Sequence, residues 1–163
     1  MSGILFLDVD GVLNGKDTGD QVEGCPGIED RKVRLVRWIL ERTGARLVLT
    51  SSWKCQWMAY REGEKEPFGQ RLSDALDACG IAVAGITSDE MDDRGAGIRE
   101  YLRQAGEEDA PFAVLDDTEF SDFASLGILP HLVKTDYRKG LTFRDALRAV
   151  RILRRGRKGE RIG

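Results

Sequence analysis

The sequence predicts a three-layer α/β domain on a parallel sheet, and three observations predict it. Residues 4–7, 47–49 and 112–115 are short apolar runs without polar alternation, the pattern of strands buried on both faces. Segments with helical spacing separate these runs, and strand and helix alternate along the chain, which favours right-handed crossovers between parallel strands. Each run ends in polar residues capable of chemistry: Asp8-Val9-Asp10-Gly11, Thr50-Ser51 and Asp116-Asp117. Ends of parallel strands converge on one edge of the sheet, where ligands bind.

Taken in order, Ile4, Leu5, Phe6 and Leu7 form the first strand. Residues 15–29 are polar, rich in Gly and Asp, and too short to fold alone, so they read as a loop. Asp30 caps a helix running to Glu41, with Val33, Val36 and residues 38–40 as its apolar stripe and Thr43-Gly44 as its stop. Residues 46–50 form the second buried strand. Residues 53–67 mix aromatic and charged types without a clean period and read as a solvated surface excursion. Residues 68–79 regain helical spacing through Leu72, Ala75, Leu76 and Ala78, Gly80 breaks it, and residues 81–86 read as a short strand. An acidic loop, 88–94, opens a helix over 95–104 with Ile98, Tyr101 and Leu102 on one side. The strand at 112–115 delivers Asp116-Asp117. After a short connection at 125–129, Leu132, Val133 and Lys134 form an edge strand, and Leu141-Thr142 starts a last helix through Leu153. Residues 1–153 therefore read as a single catalytic domain, and 154–163 as a basic, glycine-broken, flexible tail. No internal repeat is visible.

The 163 residues suffice for one core without disulfides or structural metal. A formal net charge of −3, with 33% charged residues, argues neither for bulk nucleic-acid coating nor for a membrane surface. No signal-like segment or membrane-length apolar run is read, so the expectation is a cytoplasmic protein with no membrane partner. Cys25, Cys55 and Cys79 are odd in number and scattered, suggesting neither a disulfide framework nor a zinc site. Cys55 lies near the active loop, but a nucleophilic thiol needs a base, and His131, the one histidine, reads as structural.

The polar strand ends carry the chemistry. Two carboxylates one residue apart, followed by glycine, repel each other unless a cation lies between them, and oxygen ligands at that density suit magnesium. A calcium loop of the EF-hand type is excluded, because apolar Val12-Leu13 stands where further oxygen ligands belong. A magnesium ion held by Asp8 and Asp116 neutralises a phosphate and lets a carboxylate approach it. Thr50 or Ser51, with backbone N–H groups such as that of Gly11, holds phosphate oxygens. Arg94, just before a helix, supplies a permanent planar cation, and Lys54 competes for that part.

This set resembles the four motifs of haloacid dehalogenase (HAD) superfamily phosphatases: Asp8-Val9-Asp10-Gly11-Val12-Leu13, an apolar strand ending in Thr50, a basic residue at a helix start, and Asp116-Asp117. The resemblance spans residues 4–117. Leu49-Thr50-Ser51-Ser52-Trp53, Arg94-Gly95, Leu115-Asp116-Asp117 and Thr135-Asp136 with Gly140-Leu141-Thr142 also look like the small branch found in RNA-repair proteins, over nearly the whole chain. Two departures stand out: Val12 where many members carry Thr or Ser, and Arg94 where most carry lysine.

The resemblance implies a Rossmann-like fold and a hydrolase acting on phosphoric monoesters. It makes Asp8 the nucleophile that forms an aspartyl-phosphate and Asp10 the general acid, then base. Thr50 would bind the transferring phosphate, and Asp8, Asp116 and the Asp10 backbone carbonyl would hold Mg2+, with Asp117 acting through its water shell. Both intervals where relatives insert caps are short here, implying a capless or minimally capped site open to nucleic-acid termini or nucleotides. Trp53, Trp57, Tyr60 and Phe68 can stack on a base, although their spacing favours packing. The basic tail has a similar choice between phosphate contact and solvation. A binding module without turnover and a phosphotransferase are the alternatives, and the sequence leaves the oligomeric state open.

Overall fold

The computed structural model describes residues 2–89 and 93–160. Five parallel strands form one sheet in the order β5-β4-β1-β6-β7. They are β1 (Ile4–Leu7), β4 (Arg46–Leu49), β5 (Val83–Ile86), β6 (Phe112–Asp116) and β7 (Leu132–Lys134). From β1 the chain moves outward through β4 to β5, then returns across the sheet to β6 and β7. The switch in direction therefore falls between β1 and β6, where open α/β sheets hold their ligands.

All residues of β1 and β6 are buried, as continuous apolar runs in central parallel strands should be. Their side chains alternate between two cores. Leu5 and Leu7, with Leu47, Leu49, Ala113 and Leu115, pack on a layer containing α1 (Asp30–Thr43), α3 (Pro67–Ala78) and α5 (Phe143–Glu160). Ile4 and Phe6, with Val48, Phe112 and Val114, pack on α4 (Arg94–Gln104) and on Phe123 and Ile128 of the connection to β7. The expected three-layer arrangement is thus the observed one.

Between β1 and α1 lies the short hairpin of β2 (Gln21–Val22) and β3 (Cys25–Pro26). Arg71 of α3 pins it: its Nε donates to Asp20 Oδ2 at 3.0 Å and its Nη2 to the Ile28 carbonyl and Asp30 Oδ1, both at 3.1 Å. Asp30 begins α1 rather than capping it; Glu29 occupies the cap, and the helix runs to Thr43, where the Gly44 N–H closes on the Leu40 carbonyl.

Two further elements differ from expectation. Within the stretch expected as a surface excursion, α2 (Trp53–Arg61) is a helix that buries Trp53 and Lys54. Its periodicity is masked because the buried face contains a lysine and its other aromatic residues are only half-covered against α3. The last helix does not stop at Leu153 but continues through Glu160. Gly156, which reads as a breaker, instead lets the helix approach Pro111, where a Cβ would overlap the proline ring. Of the expected 154–163 tail, residues 161–163 lie outside the described residues, as do 90–92 of the acidic loop. The remaining shifts are of one or two residues at element ends.

Packing of α2 on α3 depends on Gly69, where a Cβ would run into the Gln56 carbonyl oxygen. Gly69→Ala is expected to lower stability by about 1–3 kcal/mol through overpacking, read as a drop in the denaturation midpoint. An unchanged midpoint would mean that the two helices separate freely.

Candidate active site

All five strands deliver side chains to one rim at one level of the ladder. Just past β1, β4, β5 and β7, the Asp8 N–H donates to the Leu115 carbonyl, Thr50 N–H to Leu7, Thr87 N–H to Leu49 and Thr135 N–H to Asp116, each at 3.0 Å. Asp8 and Asp116 thus meet across the β1–β6 junction. Carboxylate oxygens of Asp8, Asp116 and Asp117 all lie within 4.8 Å of one another.

Arg94 faces this group from the start of α4. Its Nη1 is 2.7 Å from Asp116 Oδ2 and 3.3 Å from Asp8 Oδ1, and its guanidinium lies 4.6 Å from the Phe120 ring centre. Asp122 accepts from the Gly95 and Ala96 N–H groups and so fixes the turn that aims Arg94. Burial, reinforced by the charge of Asp116, lifts Asp8 well above the usual carboxylate range, against the pull of Arg94. Asp116 is pushed up to about 6, chiefly by burial, with Arg94 opposing. Buried carboxylates this close favour a cation between them, and an all-oxygen set fits a hard divalent ion such as magnesium.

The Asp10 side chain is not in the acidic group, contrary to its expected place among the metal-ligating carboxylates. Its Oδ1 accepts from Asn14 Nδ2 at 3.0 Å and its Oδ2 from Trp53 Nε1 at 3.1 Å, which hold it at the exposed edge of the rim. The Gly11 N–H, expected to face phosphate, donates instead to Asn14 Oδ1 at 2.9 Å, while the Gly11 carbonyl accepts from Thr135 Oγ1 at 2.6 Å. Gly11 has its own use: a Cβ there would overlap the Asp117 carboxylate.

Thr50 and Ser51 separate clearly. The Ser51 hydroxyl accepts from the Trp53 N–H at 3.1 Å, at the start of α2. The Thr50 hydroxyl is fully buried and has no hydrogen-bond partner among the described residues. Unpaired buried hydroxyls are costly, so one at a site rim is poised for a ligand oxygen.

Lys54 is not solvated. Its Nζ lies 2.6 Å from the Asp89 carbonyl, 3.1 Å from Asp89 Oδ1 and 3.2 Å from Thr87 Oγ1, and Asp89 in turn lies 3.8 Å from Arg94 Nε. Arg94, not Lys54, is therefore the cation in contact with Asp8. Trp53 is 5% exposed and packs edge-on against Phe68 at 5.1 Å, so it supports Asp10 rather than offering a stacking face. His131 stacks on Phe112 at 3.8 Å, with its Nδ1 at 2.9 Å from the Phe112 carbonyl, and burial lowers its pKa. Cys25 and Cys55 are exposed, Cys79 is buried, and all three are free.

A model of the HAD domain in Swiss Army Knife RNA repair proteins matches residues 4–146. The chain belongs to this family. No curated protein and no solved structure gives a match. Membership supports a phosphatase-type or related function in general, in agreement with the buried acidic group. No helix among the described residues of this HAD domain is long and apolar enough to cross a membrane.

Several supporting residues of the HAD domain escape a reading of the sequence: Asn14 and Trp53 beside Asp10, Asp89 behind Arg94, Phe120 on its guanidinium face, and Thr135 on the Gly11 turn. Trp53 and Thr135 reach Asp10 and Gly11 from 43 and 124 positions away, and no local pattern marks Phe120 or Asp89 as neighbours of Arg94.

Proposed function

We propose that this HAD domain is a magnesium-dependent phosphomonoesterase that works through an aspartyl-phosphate on Asp8, with nucleic-acid termini or nucleotides as substrates. The observation supporting it most is the meeting of Asp8, Asp116 and Asp117 under Arg94, beside the unpaired Thr50 hydroxyl. Asp8 attacks phosphorus as the bond to the leaving oxygen breaks, and Asp10 gives that oxygen a proton. Asp10 then takes a proton from water as the water oxygen attacks phosphorus, and the phosphorus–oxygen bond to Asp8 breaks. Inorganic phosphate leaves with both carboxyl groups restored.

Arg94 and the Thr50 hydroxyl bind phosphoryl oxygens, and Asn14 and Trp53 keep Asp10 directed at the leaving group. Asp8 and Asp116 with the Asp10 carbonyl would hold Mg2+, and Asp117 would act through its bound water. The ion would neutralise the phosphoryl oxygens, allowing an anion to approach an anion. The family's occurrence in RNA repair proteins and the short hairpin after β1, which leaves room for a polymer end, support the substrate class.

p-Nitrophenyl phosphate turnover with and without Mg2+ tests the reading, with phosphorylated oligonucleotides compared against mononucleotides. Turnover that requires metal and is lost in Asp10→Asn is expected. Absence of turnover with every divalent ion tried would leave a binding module instead. Thr50→Val keeps shape and removes the unpaired hydroxyl, so its melting temperature should stay level or rise. Its kcat/KM should nevertheless fall roughly 10- to 100-fold, the worth of a hydrogen bond to a charged oxygen. Unchanged turnover in Thr50→Val would remove Thr50 from phosphate binding.

A further inference from the structure

A second cleft opens on the same rim as the acidic group, and none of Asp8, Asp10 and Asp116 lines it. Its volume is about 610 Å³, and its walls are Gly15 beyond the active loop, Arg31 and Lys32 at the start of α1, and Arg138, Lys139 and Phe143 after β7. These segments follow the carboxyl ends of β1 and β7 or the loop leaving β1, which places the cleft beside the site rather than behind the sheet. The connection is direct: the Lys16 N–H donates to the Arg138 carbonyl at 2.8 Å and the Leu141 N–H to the Val12 carbonyl at 2.7 Å. One wall of the cleft is thus tied to the segment that carries Asp8 and Asp10.

Its chemistry departs from that of the whole chain. The protein carries a net charge of −3, yet the cleft gathers Arg31, Lys32, Arg138 and Lys139 against Asp17 and Glu29. Glu29 is committed to Arg31 and Lys32, at 3.5 and 3.1 Å, whereas Arg138 and Lys139 are exposed at the mouth. Large exposed apolar side chains are few among the described residues; one of them, Phe143, 54% exposed, lines the cleft, and another, Tyr137, 60% exposed, lies beside its wall next to Arg138. The Tyr137 ring is held by the Arg138 guanidinium at 5.6 Å, and Phe143 rests against Trp38 at 5.1 Å. Aromatic faces interleaved with cations are the means by which single-stranded nucleic acid is bound without reading its sequence.

We infer that this cleft binds the nucleotides next to the terminal phosphate of a single-stranded polynucleotide. Arg138 and Lys139 contact backbone phosphates there, and Tyr137 and Phe143 stack on bases. The identity of the occupant rests on the phosphatase reading above; the cleft and its charge do not.

The test compares the full-length parent with Arg138→Gln/Lys139→Gln and with Phe143→Leu. Three measurements are made: p-nitrophenyl phosphate turnover, turnover of a single-stranded 12-mer RNA phosphorylated at the end the parent accepts, and anisotropy binding of the same fluorescein-labelled RNA to Asp8→Asn protein. In both variants, p-nitrophenyl phosphate kcat/KM should stay within twofold. RNA kcat/KM and RNA affinity should fall tenfold or more in the charge variant and severalfold in Phe143→Leu. The salt dependence of RNA affinity should become shallower in the charge variant by about 1.4, at about 0.7 for each lost contact to a single strand. RNA turnover and binding that hold at parental levels in both variants would overturn the inference. So would a polyglutamate of equal charge displacing the RNA as well as unlabelled RNA does, which would mark a surface for acidic proteins. A parent that turns over nothing but binds RNA, with loss in the variants, would refute the phosphatase reading and leave the cleft standing.

Discussion

Asp8→Asn is expected to abolish turnover and, above pH 6, to raise the melting temperature of the metal-free protein. Loss of the proposed nucleophile should cost at least about 10³-fold in kcat. The gain in stability has a separate cause. Asp8 is 7% exposed and Asp116 fully buried, and both are harder to ionise in the folded protein than in the unfolded chain. For a carboxyl whose folded pKa is raised, the native state binds more protons than the unfolded state. The associated stability is therefore complete below the unfolded pKa, near 4, and is lost as pH rises through the folded value, about 6 for Asp116. For Asp116 that loss is on the order of 3 kcal/mol, with the opposing pull of Arg94 already included. Asparagine at position 8 removes one of the two repelling charges at similar volume. Melting curves at pH 5 and pH 8 should show the metal-free parent weakening with pH more steeply than Asp8→Asn, and Mg2+ should stabilise the parent more at pH 8 than at pH 5. Parallel pH profiles in the two proteins would mean that the carboxyl groups do not repel in the folded state.

Arg94→Met should be the most destabilising single change at the site. The guanidinium is the cation in contact with both Asp8 and Asp116, and its side chain is 11% exposed, so removal leaves buried negative charge uncompensated. Breaking a buried pair in this way costs about 3–5 kcal/mol. The deficit should shrink at pH 5, where the carboxyl groups take up protons, and in Mg2+. Arg94→Lys keeps the charge but has neither the planar fork that spans two carboxylates nor the flat face that lies on Phe120, so partial recovery is expected. Chemical denaturation of the three proteins at pH 8 measures the series. Equal stability of Arg94→Met and parent without metal would show that the ion pairs contribute nothing net.

The central strands were legible because burial on both faces leaves only apolar residues, and β1, β4 and β6 carry nothing else along their buried lengths apart from Arg46 and Asp116 at their ends. The acidic rim was legible for the same reason, since polar residues at the ends of such runs must converge. The helix at α2 was not, because its buried face holds Lys54, whose charge is satisfied by Asp89, a partner 35 residues away. The reach of α5 was hidden by Gly156, whose value lies in its approach to Pro111. Telling Arg94 from Lys54 requires knowing that Lys54 already has a partner 35 residues away, which leaves no trace in spacing, and telling Thr50 from Ser51 requires the local backbone geometry that turns the Trp53 N–H onto the Ser51 hydroxyl.

The triple grip of Arg71 on the hairpin bears on how catalysis would be paced. Held by Arg71 at Asp20, Asp30 and the Ile28 carbonyl, the hairpin is not free to swing, so it should not gate entry and departure. Solvent would then have continuous access to the acylphosphate proposed on Asp8, which would favour its breakdown by bulk water over capture by a second alcohol. On such a scaffold hydrolysis, rather than group transfer, is the default fate of the phosphoryl group.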